Sequence, residues 1–99
     1  MVLLMNTKFS FNSEFYCTQC GQRGLPILRK RGQERESGHL KKIFCLNCGK
    51  ETNHVECKPW SSYTHDDFLI EFEHNNFTDD GQRKIPYGEL KGLIHNGKA

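Results

Sequence analysis

The sequence contains no long apolar segment. Hydrophobic residues make up 35% of the 99 positions and charged residues 26%, and the apolar run near the N-terminus, residues 2–5, has only four members. A membrane-spanning helix needs about 20 consecutive apolar residues, and the core of a signal peptide needs about 7–15. We therefore expect a soluble, cytoplasmic protein that forms one small domain and does not enter a membrane.

Groupings of residues typical of catalysis are also missing. The five histidines are scattered along the chain, and the sequence shows no His-x-x-x-His motif, no phosphate-binding loop and no nucleophile placed beside a base. Glu34 and Glu36 could hold a cation at a loop tip, but two acids among several basic residues are more typical of a solvated turn. The chain is therefore not expected to be an enzyme.

Five cysteines in so short a chain require an explanation. Without an export signal a disulfide framework is not expected, because cytosolic thiols are kept reduced. An odd number also prevents complete pairing. Metal binding is the natural alternative.

Four of these cysteines belong to a repeated motif. Cys17 and Cys20 form one Cys-x-x-Cys pair, and Cys45 and Cys48 form a second pair, with 24 residues between the two pairs. Each pair follows an aromatic residue and precedes a glycine, which suits a tight turn with positive φ. Four thiolates satisfy one tetrahedral Zn²⁺ and leave no position for a substrate, so the motif predicts a single structural zinc.

Two other uses of these cysteines remain. An iron–sulfur cluster accepts the same four ligands. A redox-active Cys-x-x-Cys would be expected near a βαβ pattern, which is not visible here. Cys57, His54 and His39 could act as extra ligands or reactive groups, but with four cysteines already available we expect them to be packing residues of a sheet.

The residues around the motif predict a zinc ribbon. Residues 25–30 and 39–44 read as two strands joined by a polar turn, and residues 51–57 can add a third strand. Phe9 and Phe11 alternate with polar residues and suggest an edge strand. We therefore divide the chain into a partly flexible N-terminal segment (1–14), a zinc ribbon (15–58) and a helical C-terminal half (59–99).

Two helices are predicted in the C-terminal half, which gives a small α+β fold. The first covers about 65–76, with Thr64 and Asp67 as a capping box. The second starts with Pro86, a favourable residue for a first turn, and ends at Gly97. Aromatic residues are frequent in this half, and we expect them to pack on the ribbon sheet, since an isolated ribbon buries little surface.

Charge is distributed unevenly. Residues 1–58 carry a net charge of +5 and residues 59–99 a net charge of −3, which indicates either an anionic partner or attraction between the two halves. Phosphate neutralisation by Lys and Arg is the main source of sequence-independent affinity for nucleic acids. The sequence thus predicts nucleic-acid binding by the basic residues of the ribbon, namely Arg29, Lys30, Arg31, Arg35, Lys41 and Lys42.

A protein partner is the alternative. Trp60 and Tyr87 could anchor a protein interface, in which a few desolvated aromatic side chains supply most of the affinity. The sequence does not fix the oligomeric state.

The motifs of both halves carry a resemblance. The segments YCTQCGQRG, RESGHLKKIFCLNCGKETNHVE, DFLIEFEHNNF and GQRKIPYGELK resemble small zinc-ribbon proteins encoded by phages and prophages of Gram-positive bacteria, over about residues 15–92. This resemblance implies a phage protein that works in the bacterial cytoplasm. The alternative to nucleic-acid binding is then an adaptor or inhibitor that binds a host protein such as RNA polymerase, a nuclease or a defence protein.

The cysteine spacing alone is also similar to the zinc ribbon of transcription elongation factors. That family carries an adjacent Asp-Glu pair at its hairpin tip, where this chain has Gln33-Glu34-Arg35-Glu36. The departure argues against the catalytic role of that pair and leaves polymerase or nucleic-acid binding open.

Overall fold

The computed structural model describes residues 10–30 and 37–97. It shows a small α+β fold, as predicted: one four-stranded antiparallel sheet followed by two helices. The elements are β1 (Ser10–Cys17), β2 (Ile27–Lys30), β3 (Leu40–Cys45), β4 (Lys50–Cys57), α1 (His65–Glu73) and α2 (Tyr87–His95). The flexibility expected for the first residues lies outside the described ranges.

The strand pairing corrects the predicted hairpin. We expected the second and third strands to pair with each other, but the order in the sheet is β2-β1-β4-β3, so they lie at opposite edges. β1 pairs with β2, and β3 pairs with β4. Each of these hairpins turns at a connection that opens with one of the two Cys-x-x-Cys motifs.

The two hairpins are joined through β1 and β4. The second half of β1 pairs with the end of β4, where Cys17 lies opposite His54. The N-terminal strand is therefore interior, and the edge position expected for it is wrong. Since β1 and β3 both run antiparallel to β4, they point the same way, and their terminal cysteines emerge at the same end of the sheet.

One face of the sheet packs against the C-terminal half. Tyr16, Val55 and Cys57 form a buried cluster with Tyr63, Phe68 and Phe77. The ring of Phe68 stacks on that of Tyr16 with centroids 5.4 Å apart. This aromatic contact fixes α1 on the strands that lead into the cysteine turns.

The opposite face contains a buried carboxylate. Glu56 on β4 is fully buried, and its two oxygens accept hydrogen bonds from Arg29 at 3.1 and 2.9 Å. His39 contacts the same carboxylate. Burial alone would raise the pKa of Glu56, but the hydrogen bonds from Arg29 and its neighbours hold it below its usual value. The ion pair ties β2 to β4 across β1.

The helix boundaries follow the capping signals of the sequence. The side chain of Thr64 accepts from the backbone N–H of Asp67, and the Asp67 side chain accepts from that of Thr64, which completes the predicted capping box. α1 is shorter than expected because the chain reaches a positive φ of 55° at Asn75. α2 begins at Tyr87, one residue later than predicted, because Pro86 has the extended ψ of an N-cap residue, and the chain turns away at Gly97, whose φ is 75°. In the described ranges, neither helix has the length and hydropathy needed to cross a membrane.

Candidate metal centre

Four sulfur atoms meet at the shared end of the two hairpins. The Sγ atoms of Cys17, Cys20, Cys45 and Cys48 all lie within 4.8 Å of one another. Two of these distances join the hairpins: 3.8 Å between Cys17 and Cys48, and 3.6 Å between Cys20 and Cys45. Tetrahedral bonding at about 2.3 Å per Zn–S bond would place the sulfurs about 3.8 Å apart. The four predicted ligands are therefore positioned to hold one metal ion.

The same distances describe unbonded sulfurs. A disulfide would require about 2.05 Å between them, and all five cysteines are free thiols. The cluster is therefore a set of four donors from two hairpins, which is the arrangement that one cation can bridge.

The two cysteine turns have the same backbone geometry. The N–H of Gly21 donates to the carbonyl of Cys17, and the N–H of Gly49 donates to that of Cys45, both at 2.8 Å. The φ angles of these glycines are 78° and 72°, a region that side chains with a Cβ rarely adopt. The repeated sequence motif thus forms a repeated structure, and each copy aims two sulfurs at a common point.

Donors from the backbone already point at two of the sulfurs. The N–H of Gln19 lies 3.4 Å from the Cys17 sulfur, and the N–H of Cys48 lies 3.4 Å from the Cys45 sulfur. Such contacts favour the thiolate form that a metal requires. The buried pair, Cys17 and Cys45, receives them, while Cys20 and Cys48 are half-buried.

The pKa values of the thiols differ because burial, hydrogen bonds and the neighbouring sulfurs act on each of them to a different extent. Burial acts against ionisation of Cys20, but hydrogen bonds from Gln22 and its neighbours lower its pKa to about 7. Removal from water and the neighbouring sulfurs raise the pKa of Cys48 to about 12. Four negative sulfurs this close repel one another, so complete ionisation needs a cation among them.

The other candidate ligands lie elsewhere. Within the described ranges, the four cysteines are the only group placed to hold a metal. Cys57 is part of the aromatic core, where burial raises the pKa of its thiol to about 12. His54 is fully buried and makes a 2.9 Å hydrogen bond to the carbonyl of Thr52, and His39 contacts Glu56. These three side chains are packed in and around the sheet.

The predicted basic surface is only partly assembled. The guanidinium of Arg29 forms an ion pair with Glu56, and the Arg29 side chain is only 15% exposed. Lys41 and Lys42 lie on the edge strand β3, half-buried and exposed respectively. Lys30 ends β2, and Arg31 and Arg35 lie outside the described residues. Of the six predicted basic residues, the structure describes the side chains of three. Among these three, Lys41 and Lys42 form no ion pair with another described residue.

The two predicted protein anchors differ from each other. Trp60 is 66% exposed, and its ring meets the edge of Phe11 with centroids 5.0 Å apart. Tyr87 is half-buried, its hydroxyl donates to Asp67 at 2.6 Å, and its ring contacts Tyr63. Trp60 is therefore free to meet a partner, while Tyr87 connects α1 to α2.

Sequence reasoning missed one polar residue at the metal centre. Thr52, on β4, places its hydroxyl oxygen 3.0 Å from the Cys17 sulfur. The two residues are 35 positions apart, and their contact depends on how β1 and β4 are paired. The spacing of the cysteines carries no signal for this contact.

Comparisons with known proteins assign the chain to no family. No family model matches it, and searches of curated proteins and of solved structures give no significant match.

Proposed function

We propose that the chain is a zinc-binding module whose single Zn²⁺ holds two β-hairpins together and whose ribbon binds a macromolecule. The observation that carries the metal part is the cluster of four sulfurs from two hairpins, with distances that suit tetrahedral coordination. Zinc is the metal of choice for four thiolates in a closed structural site. Bound zinc would supply a fixed centre that links the hairpins, and its four ligands leave no position for a substrate.

Nucleic acid is the partner that we propose first. It is supported by the basic balance of the first 58 residues and by Lys41 and Lys42 on an edge strand, where a polyanion has access. Arg29 no longer belongs to the proposed contact surface, because its charge is neutralised by Glu56. The proposed contact surface therefore starts from Lys41 and Lys42 on β3. Lys30 ends β2 at the opposite edge of the sheet, and Arg31 and Arg35 lie outside the described residues.

A salt series tests this proposal. Binding of the zinc-loaded protein to random duplex and single-stranded oligonucleotides should weaken as salt rises, because each phosphate contact releases counterions, with a log–log slope of roughly −0.9 per contact on duplex DNA. Changing Lys41 and Lys42 to Ala should reduce that slope by about two. Arg29 stays unchanged, since its loss would leave Glu56 buried without its partner.

A matched control removes the same charge elsewhere. Changing Lys84 and Lys91 to Ala, both exposed in the helical half, lowers the net charge by the same amount and should leave the slope nearly unchanged. No detectable binding at low salt, where phosphate contacts are strongest, would refute the nucleic-acid proposal.

A protein partner is favoured by a different observation. Leu25 and Leu46 are 58% and 72% exposed and line one cavity of about 370 Å³ beside the metal centre. Phe44 and Trp60 add exposed apolar surface. Under this second proposal the chain is an adaptor or inhibitor of a bacterial host protein, and its affinity should resist salt and fall on Leu46→Asp or Trp60→Ala. An affinity unchanged by both substitutions would contradict it.

A further inference from the structure

The sulfur of Cys17 is the most enclosed of the four proposed ligands. Cys17 is 0% exposed and Cys45 is 2% exposed, while Cys20 and Cys48 are half-buried. Water can reach the half-buried pair. A negative sulfur that water cannot reach needs hydrogen-bond donors from the protein, since a buried charge without such partners destabilises the folded state.

Two donors from the protein are placed at Cys17. The backbone N–H of Gln19 is 3.4 Å away, and the hydroxyl oxygen of Thr52 is closer, at 3.0 Å. Thr52 is 6% exposed, so water does not compete effectively for its hydroxyl. Within the described residues the Cys17 sulfur is also the hydroxyl's one hydrogen-bond partner.

The position of this hydroxyl is fixed by the sheet. Thr52 lies opposite Ile43 in the β3–β4 pairing, and its carbonyl accepts a hydrogen bond from the Nδ1–H of His54 at 2.9 Å. A β-branched side chain also has restricted rotation about its first bond. The hydroxyl is thus held at the sulfur by residues that are not ligands.

We propose that Thr52 is a positioning residue of the metal centre: its O–H donates to the Cys17 thiolate and stabilises the metal-bound form. The direction of the bond follows from chemistry, because a metal-bound thiolate has no proton to donate and only the hydroxyl can. This inference rests on the proposed zinc site. Loss of a partner in the outer shell of a metal site reduces metal affinity by about 10–100-fold.

The test compares variants of the full chain loaded with Co²⁺, whose sulfur-to-metal charge-transfer band reports on the thiolates. Thr52→Val keeps the shape and removes the hydroxyl. We expect this band to move to longer wavelength, because an unpaired sulfur gives up electron density more easily, and the Zn²⁺ Kd from competition to rise about 10–100-fold. Thr52→Ser should resemble the wild type in both measurements.

Thr18→Val is the matched control. Thr18 is also buried and lies beside Cys17, but its hydroxyl donates to the carbonyl of Asn53 at 3.0 Å and not to a sulfur. This variant should weaken the fold and leave the cobalt band where it is. A band shift equal to that of Thr52→Val would overturn the proposal, because it would assign the effect to general destabilisation.

The remaining outcomes are also decisive. If Thr52→Val does not fold, Thr52→Ala and Thr52→Ser isolate the hydroxyl, since neither carries the methyl group. Equal affinity and equal spectra for Ala and Ser would overturn the role of the hydroxyl. Wild-type protein that binds neither Co²⁺ nor Zn²⁺ would overturn the metal site and this inference together. Normal wild-type binding, with no change of spectrum or affinity in the Thr52 variants, would overturn this inference alone.

Discussion

At the scale of single residues, a buried charge connects several parts of this small protein. Glu71 on α1 is fully buried and accepts hydrogen bonds from Arg83, from the hydroxyl of Tyr63 and from the side-chain amide of Asn76. The carboxylate therefore joins α1 to the segment that leads into α2. A buried pair of this kind is costly to break, because the remaining charge stays without a counter-ion.

Removing the charge of Glu71 should therefore destabilise the protein strongly. Glu71→Gln keeps the shape but leaves the guanidinium of Arg83 uncompensated, and we expect a loss of about 3–5 kcal/mol in the free energy of unfolding, measured by urea denaturation. Arg23→Gln is the control: Arg23 pairs with Glu14 at 3.2 Å, but both side chains are largely exposed, so the cost should stay below about 1 kcal/mol. Similar losses for both variants would contradict this account.

At the scale of the elements, the two cysteine turns look identical locally and differ in their surroundings. A Cβ added at Gly49 would meet no atom within 4 Å, whereas a Cβ added at Gly21 would lie 3.0 Å from the ring of Phe72. α1 covers the first turn and leaves the second one open. Gly49 therefore supplies only the positive φ of its turn, whereas Gly21 supplies a positive φ and also leaves room for the ring of Phe72.

Alanine substitutions separate these two roles. Gly49→Ala should cost about 1–2 kcal/mol, the price of a Cβ at positive φ. Gly21→Ala should cost a further 1–3 kcal/mol or so, because it also displaces the Phe72 ring. The measurement is the free energy of unfolding of the zinc-loaded proteins. Equal losses at the two positions would show that α1 does not press on the first turn.

The start of α1 supplies a prediction with a pH dependence. The Asp67 carboxylate accepts from the backbone N–H of Thr64 at 2.8 Å and from the hydroxyl of Tyr87 at 2.6 Å. Burial opposes ionisation, but these hydrogen bonds hold the pKa of Asp67 below its ordinary 3.8. Asp67→Asn should cost about 1 kcal/mol at pH 7, while Asp66→Asn, in the same turn, should cost less.

The sign of the pH effect follows from the lowered pKa. A carboxylate that ionises more readily in the folded state contributes its full stability above its unfolded pKa and loses it as pH falls through the folded value. The difference between wild type and Asp67→Asn should therefore stay constant between about pH 5 and 7 and narrow only near or below the ordinary pKa of 3.8. A difference that already changes between pH 6 and 7 would point to another group.

At the scale of the whole molecule, the proposed metal is a second link between the two hairpins, besides the pairing of β1 with β4, at the end where their cysteine turns meet. Removing it with a chelator should disorder the ribbon, because structural zinc supplies on the order of 10 kcal/mol to the folding of such units. Near-ultraviolet circular dichroism follows the loss of tertiary structure, and elemental analysis follows the loss of zinc. Cys45→Ser should behave like the chelated protein, whereas Cys57→Ser should retain one zinc per chain, since Cys57 lies in the core. A fully folded metal-free protein would contradict the structural role of zinc.

The sequence by itself determined the features that depend on neighbouring residues. The two Cys-x-x-Cys turns, the capping box at Thr64 and the stop at Gly97 follow from local geometry, so they could be predicted with their residues. The four sulfurs could be grouped because thiolate chemistry and spacing leave few other uses for them. The small α+β class followed from the same local signals.

Only the tertiary structure decided what depends on strand pairing. Which strands form hairpins is set by contacts between strands that are distant in sequence, and the sequence was equally compatible with pairing β2 to β3. The pairing then decides that Arg29 meets Glu56 and not a phosphate, and that Thr52 reaches Cys17 from 35 positions away. Side chains that are distant in sequence meet because β4 lies between β1 and β3, and a pattern read along one strand carries no record of its neighbours.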